Sequence, residues 1–132
     1  MPLTEDRNTP RRTGDMLSLP AAAAKKFYAG AIVARDAAGN ATPGATATDI
    51  LGMGRCKAQV DNSAGSAGDL RVEIEKGIFR FANSATDPVL VTDIGGNCYI
   101  VDDETVSHTD TNQSVAGVVW DVDAQGVWVK FE

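Results

Sequence analysis

The feature of this sequence that most restricts its fold is a set of short apolar runs with a two-residue period. In the clearest run Leu70, Val72 and Ile74 alternate with charged side chains. Successive side chains of a strand point to opposite faces of a sheet, so this pattern is typical of a half-buried antiparallel strand. Val and Ile together number 19 against 6 Leu, and β-branched side chains favour strands. The sequence therefore predicts an all-β protein.

Turn residues separate these runs at the spacing, about eight to twelve residues, that is typical of an antiparallel β-sandwich or small β-barrel. We predict seven to nine short strands. Residues 69–82 form either one bulged strand or a tight hairpin, and Gly52 and Gly54 predict a bulge or a close backbone contact. Hairpins are predicted at residues 27–42, 98–106 and 114–131.

The N-terminal part of the chain has a different composition. Residues 1–20 contain three prolines and lack the periodicity of a strand or a helix, which predicts an extended N-terminal arm. We therefore divide the chain into an arm at residues 1–25 and a β-sandwich or barrel domain at residues 26–132. Residues 1–26 carry a net charge of +2 and the remainder −8, so a basic arm precedes an acidic body.

Charge and hydropathy exclude several classes of partner. The net charge of −6 would repel phosphate backbones, so we expect no nucleic-acid partner. No apolar run approaches the ~20 residues that span a bilayer, and the alanines at 21–24 are too short a run for a secretory signal, so we expect no membrane partner. Cys56 and Cys98 match no zinc or redox spacing, and we predict two reduced, buried thiols.

No group of residues forms a recognisable catalytic motif. His108 is the sole histidine and lies in a polar loop, without the nucleophile and orienting group that a triad needs. No serine lies in a Gly-x-Ser-x-Gly turn. The glycines around Met53 lack the third glycine of a dinucleotide-binding turn. We therefore expect a solvated loop histidine, no catalytic residue and no cofactor.

Two acidic clusters are candidates for calcium binding or glycoside hydrolysis. They are Asp102-Asp103-Glu104 and the pair Asp121 and Asp123. Each lies between predicted strands, where Asp favours turns, and neither follows the EF-hand pattern. A sugar-binding cleft would also need exposed aromatic side chains, and we expect most of the eight aromatics to lie in the core. We therefore predict turn roles for these acids and no metal site.

Three segments carry a resemblance to a known family. They are the strand-like run at 29–34 with its Gly-Asn turn, the central stretch at 52–81, and the closing pair at 115–120 and 126–131. In this order they resemble the capsid cement proteins of tailed bacteriophages, also called head decoration proteins, of the kind found in Mu-like and other temperate phages. The resemblance covers residues 26–131.

This resemblance implies a non-enzymatic structural protein of a phage virion, assembled in the host cytoplasm. It implies binding to the outer surface of the major capsid protein shell, stabilisation of the head, and self-association as a homotrimer or a dimer. The extended arm could add a strand to a capsid sheet. The residues of the arm that we expect to contact the capsid are Arg7, Arg11, Arg12, Leu17 and Leu19.

Two other functions stay open at this point. One is a tail or baseplate component of a phage, which is also structural. The other is a small carbohydrate- or calcium-binding β-sandwich that uses the two acidic clusters.

Overall fold

The computed structural model describes residues 2–132, and these residues form twelve strands and one short 3-10 turn. The all-β prediction is confirmed, and within the described part of the chain no helix is long and apolar enough to cross a membrane. The 3-10 turn covers Val91–Asp93. The strands are β1 (Met16–Pro20), β2 (Lys25–Phe27), β3 (Ile32–Arg35), β4 (Ala41–Pro43), β5 (Leu51–Cys56), β6 (Val60–Asn62), β7 (Arg71–Glu75), β8 (Gly77–Asn83), β9 (Asn97–Ile100), β10 (Thr105–Ser107), β11 (Val115–Asp123) and β12 (Gly126–Phe131).

The first part of the chain forms an open antiparallel sheet. Its strand order is β1-β7-β5-β3-β4, and a separate ribbon of β2 and β6 packs against it. Phe27 of the ribbon is buried with Val33, Val72 and Ile74 of the sheet. Burial of these large apolar side chains is what holds the ribbon on the sheet.

The second part of the chain forms a closed barrel of five strands in the order β10-β8-β12-β11-β9. Its pairs are antiparallel except for β10 and β8, which run parallel. Closure leaves no free edge among these five strands. The interior is filled mainly by small and β-branched side chains together with Phe81 and Phe131.

Strand β3 joins the two cores because its successive side chains point to opposite faces. Ile32 and Ala34 pack into the barrel core, whereas Val33 packs into the core under the ribbon. Strand β5 also lies close to β11. At Gly52 the backbones of the two strands are in direct contact, because glycine has no side chain to separate them. A Cβ atom there would overlap the carbonyl oxygen of Ala116 and lie 2.7 Å from its Cα. The predicted close backbone contact at Gly52 is confirmed.

The three predicted hairpins are present as antiparallel pairs, β3 with β4, β9 with β10, and β11 with β12. In the alternating run that predicted a half-buried strand, Val72 and Ile74 are fully buried. Leu70 precedes the strand and is exposed. The alternation therefore identified the strand correctly but extended it by one residue.

The prediction for residues 69–82 is wrong. They form neither one bulged strand nor a hairpin, because β7 pairs with β1 and β5 while β8 pairs with β10 and β12. The chain passes from the open sheet to the barrel at Gly77, whose φ of +146° favours glycine. A glycine inside an alternating run is compatible with a bulged strand, with a hairpin and with a passage between two sheets. Strands that are distant in the sequence decide which of the three forms, because they pair with β7 and β8.

Residues 2–20 of the predicted extended arm fall into two parts in the structure. Met16–Pro20 is the edge strand of the open sheet, with Leu17 opposite Ile74 and Leu19 opposite Val72. The Arg71 guanidinium donates to the hydroxyl and the carbonyl oxygen of Ser18 at 2.9 and 3.0 Å. The remaining residues, 2–15, form no strand and are exposed, and we call them the N-terminal tail.

Candidate functional site

The five arm residues predicted to contact a capsid fall into two groups. Arg7, Arg11 and Arg12 lie on the exposed tail, and among the described residues their one side-chain hydrogen bond is from Arg7 to the Thr9 hydroxyl at 2.8 Å. Leu17 and Leu19 are half-buried on β1 and pack against the core under the ribbon. The three arginines are therefore exposed, whereas the two leucines stabilise this chain's own sheet.

Four exposed apolar side chains that the sequence did not single out lie on the 3-10 turn with its flanking residues and on the neighbouring strand β11: Leu90, Val91, Ile94 and Trp120. Their exposed fractions are 51%, 65%, 44% and 55%. The first three belong to the 3-10 turn and its flanking residues, and Ile94 and Trp120 line one open groove of about 390 Å³. Clustered exposed apolar groups mark sites of interaction. We call these four residues the Trp120 patch.

Trp120 projects from the barrel because β11 contains a bulge. Val119 is paired with Val129 and Asp121 with Trp128, so Trp120 has no partner in the register. A bulge redirects the side chain of the extra residue. The ammonium group of Lys130 lies 5.8 Å from the centre of the indole ring and ion-pairs with Glu132 at 3.3 Å. The cation thus covers part of the ring and leaves the remainder to solvent.

The 3-10 turn is fixed to the barrel at both ends. Before the turn, the Asn83 side chain accepts from the Val89 amide at 2.8 Å and donates to its carbonyl at 3.0 Å, and the Val89 side chain is buried. After the turn, the Gly95 amide donates to Val119 at 2.9 Å, and the Val119 amide donates to Gly96 at 2.8 Å. The patch is therefore preorganised, which lowers the entropic cost of binding.

Two further contacts of the 3-10 turn involve the carboxylate of Asp93 and the imidazole of His108, the sole histidine. Asp93 Oδ2 accepts from the Leu90 amide at 2.8 Å, and the His108 Nδ1 atom lies 2.8 Å from the same oxygen. The hydrogen bond from Leu90 and the contact with His108 lower the pKa of Asp93. The hydrogen bond to Asp93 and the nearby negative charge raise the pKa of His108. The predicted loop histidine is thus half-exposed but has a specific partner.

Asp102 and Asp123 have the predicted turn roles, whereas the prediction is wrong for Asp121, which lies inside β11 opposite Trp128. Asp102 accepts from the Glu104 amide at 2.9 Å, and Asp121 accepts from the Val122 amide at 2.8 Å. Asp123 accepts from the Gln125 amide and the Trp128 indole at 2.8 and 2.9 Å, and these hydrogen bonds lower its pKa. Among residues 2–132 no group of three or more His, Cys, Asp or Glu could hold a metal ion.

The expectation that most aromatic side chains lie in the core is wrong. Only three of the eight, Phe27, Phe81 and Phe131, are buried. Tyr28 and Trp120 are more than half exposed, because Val, Ile and Ala side chains fill most of the two cores. Exposed aromatic side chains are therefore present, so their expected absence gives no reason to exclude a sugar-binding surface.

Both cysteines are free and buried, as predicted. Cys98 is fully buried in the barrel core, and burial raises the pKa of its thiol to about 12; burial also raises the pKa of Cys56. The thiolate is the nucleophile, so burial makes both thiols poor nucleophiles in the folded protein.

We expect Cys98 to resist modification by a disulfide reagent at mildly alkaline pH and to react at once in guanidinium chloride. A Cys56→Ser variant isolates Cys98, because its serine hydroxyl can keep the hydrogen bond to Ala58 that Cys56 makes. Thiol release measured by absorbance checks this. Rapid modification of Cys98 in the folded variant would contradict its burial.

No protein-family model matches the chain, and neither the curated proteins nor the solved structures contain a significant match.

Proposed function

We propose that this chain is a non-enzymatic capsid decoration protein that binds the outer surface of a phage head through the Trp120 patch and the N-terminal tail. The resemblance of its strand segments to capsid cement proteins suggests the partner, the major capsid protein. The virion exterior is then its place of action, and self-association as a trimer or a dimer belongs to the same proposal.

The Trp120 patch is the observation that supports this proposal best. Trp residues are enriched among the few side chains that supply most of the binding energy at protein interfaces. Here a Trp that is 55% exposed shares a groove with Ile94, and Leu90 and Val91 are exposed on the same turn as Ile94, a turn whose two ends are anchored. A rigid apolar surface of this kind suits a permanent contact with a protein shell.

The tail supplies a second element of the proposed contact. Its residues are exposed and lead directly into the edge strand β1, so they could continue an extended chain onto a capsid subunit. Arg7, Arg11 and Arg12 make no ion pair with a carboxylate among the described residues. They can therefore pair with acidic groups of a partner.

Electron cryo-microscopy of purified virions tests the proposal directly. We expect density for the open sheet and the barrel on the outside of the shell, with the Trp120 patch or the tail against the capsid. Density only in tails would instead support the tail or baseplate function. Absence of the chain from the particle would refute both.

A deletion series tests the role of the tail. Deleting residues 2–14 should leave the unfolding midpoint unchanged and lower the occupancy on heads, because these residues lie outside the sheet. Deleting residues 2–19 should in addition cost about 2 kcal/mol of unfolding free energy, because it uncovers the core at Leu17 and Leu19. Chemical denaturation and head-binding assays measure the two effects. Unchanged occupancy after the shorter deletion would refute docking by the tail.

Glycan binding is a second candidate, favoured by the exposed aromatic rings of Tyr28 and Trp120. Indole and phenol rings can stack on the apolar faces of sugars. A glycan array on which neither the wild type nor Trp120→Ala binds would remove this candidate, whereas binding that is lost in the variant would support it.

A further inference from the structure

Two loops of the barrel are connected by four hydrogen bonds close to the Trp120 patch. The His108 amide donates to the Asp87 carbonyl at 3.1 Å. The Thr109 amide and hydroxyl donate to the Asp87 carboxylate at 2.8 and 3.1 Å. The fourth is the contact between His108 Nδ1 and Asp93 Oδ2 at 2.8 Å. The loop that starts after β10 thus holds both the segment before the 3-10 turn and the turn itself.

The same oxygen atom of Asp93 contacts both the Leu90 amide and the His108 imidazole. Asp93 Oδ2 accepts from the Leu90 amide, which fixes the start of the turn, and also contacts the imidazole. The side chain of Asp93 is 19% exposed and that of His108 47%. A change in the charge of the imidazole therefore acts directly on the group that caps the turn.

We infer that the contact between His108 and Asp93 is a pH-sensitive latch that fixes the turn presenting Leu90, Val91 and Ile94. The carboxylates of Asp93 and Asp87 face the imidazole, and Asp110 lies two residues further along its own loop. Residues 81–129, which contain both loops, include no Lys or Arg. The latch is a property of the folded chain, and only its effect on capsid docking rests on the proposed function.

The pH range of the latch follows from the directions of the two pKa shifts. The pKa of His108 is raised above 6.5, so its stabilising effect is complete below 6.5 and is lost as the pH rises through the folded value. The pKa of Asp93 is lowered below 3.8, so its effect is complete above 3.8 and is lost as the pH falls through the folded value. The latch is thus tightest between pH 3.8 and 6.5, and it loosens as the pH rises through the raised pKa of His108.

Nuclear magnetic resonance of the free full-length protein tests the latch. We expect the sole imidazole to titrate above 6.5, and the amide shifts of Leu90 and Thr109 to follow the same midpoint. In Asp93→Asn the midpoint of the imidazole titration should fall towards 6.5, because the negative charge beside the ring is removed. The side-chain carbonyl of Asn can still accept from the Leu90 amide, so the turn should be retained. In His108→Gln the amide titration should disappear.

Asp110→Asn is the matched control, since it removes a charge from the same loop without touching the latch. It should leave the imidazole midpoint close to that of the wild type. A wild-type imidazole that titrates at or below 6.5, or a Leu90 amide that does not follow it, would overturn the inference. Because the titration uses the free protein, a failure to bind heads would refute the proposed function and leave the latch standing.

Discussion

Gly52→Ala is expected to lower the free energy of unfolding by about 3 kcal/mol, at the upper end of the usual cost of overpacking. The added methyl group would overlap the backbone of Ala116, and a backbone cannot move aside as a flexible side chain can. Relief requires β5 to separate from β11, which opens the junction between the sheet and the barrel. In a domain of this size such a loss lowers the melting temperature by about 10 °C.

Gly96→Ala is the matched control for this substitution. A Cβ at Gly96 would meet only the carbonyl oxygen of Asp93, at 3.3 Å, and lies near the surface. We expect it to cost less than about 1 kcal/mol. Urea denaturation of both variants measures the difference. Equal losses would show that the contact between Gly52 and Ala116 is not what joins the two parts of the chain.

Trp120→Ala is expected to weaken binding to heads about 30-fold, the effect of removing a hot-spot side chain worth about 2 kcal/mol. The indole is the largest side chain of the patch and is 55% exposed, and its loss also removes the ring over which Lys130 lies. The fold should be unaffected, because the bulge places this side chain outside the barrel core. Binding to heads that lack the protein, followed by sedimentation, gives the affinity.

Leu70→Ala serves as the comparison for Trp120→Ala. Leu70 is 43% exposed and lies outside the patch, and its only described hydrogen bond is made by its backbone carbonyl. We expect wild-type affinity from this variant. If Trp120→Ala binds heads as tightly as Leu70→Ala, the patch is not the docking surface, even if the protein is found on the virion.

The hairpins could be predicted because local patterns determine them. The alternation of Val127, Val129 and Phe131, for example, matches their burial in the barrel. Strand β1 could not be predicted, because a five-residue segment that ends in proline has little strand signal of its own. Its partner β7 lies more than fifty residues further along the chain. The same long-range pairing decides that the chain changes from sheet to barrel at Gly77 rather than turning back.

The candidate site was harder to predict than the fold. In the alternating sequence of the last strand, Trp128 and Lys130 occupy the face opposite the buried valines, and this could have drawn attention to the barrel surface. The bulge that exposes Trp120 leaves no local pattern, because it arises from a shift in the register between two strands. Leu90, Val91 and Ile94 form an apolar segment that is equally compatible with a buried strand. The exposure of these side chains therefore depends on tertiary structure alone.

The change from open sheet to barrel at Gly77 also orders the folding of the chain during synthesis. All strands of the sheet and the ribbon lie before this residue, and all strands of the barrel begin at it or after it. The ribosome therefore completes the sheet first, while Ile32 and Ala34, which pack into the barrel core, are still uncovered. Until the last strand emerges from the ribosome, the apolar side chains of β3 that pack into the barrel core remain exposed to solvent. The newly made half must be protected from aggregation for that interval.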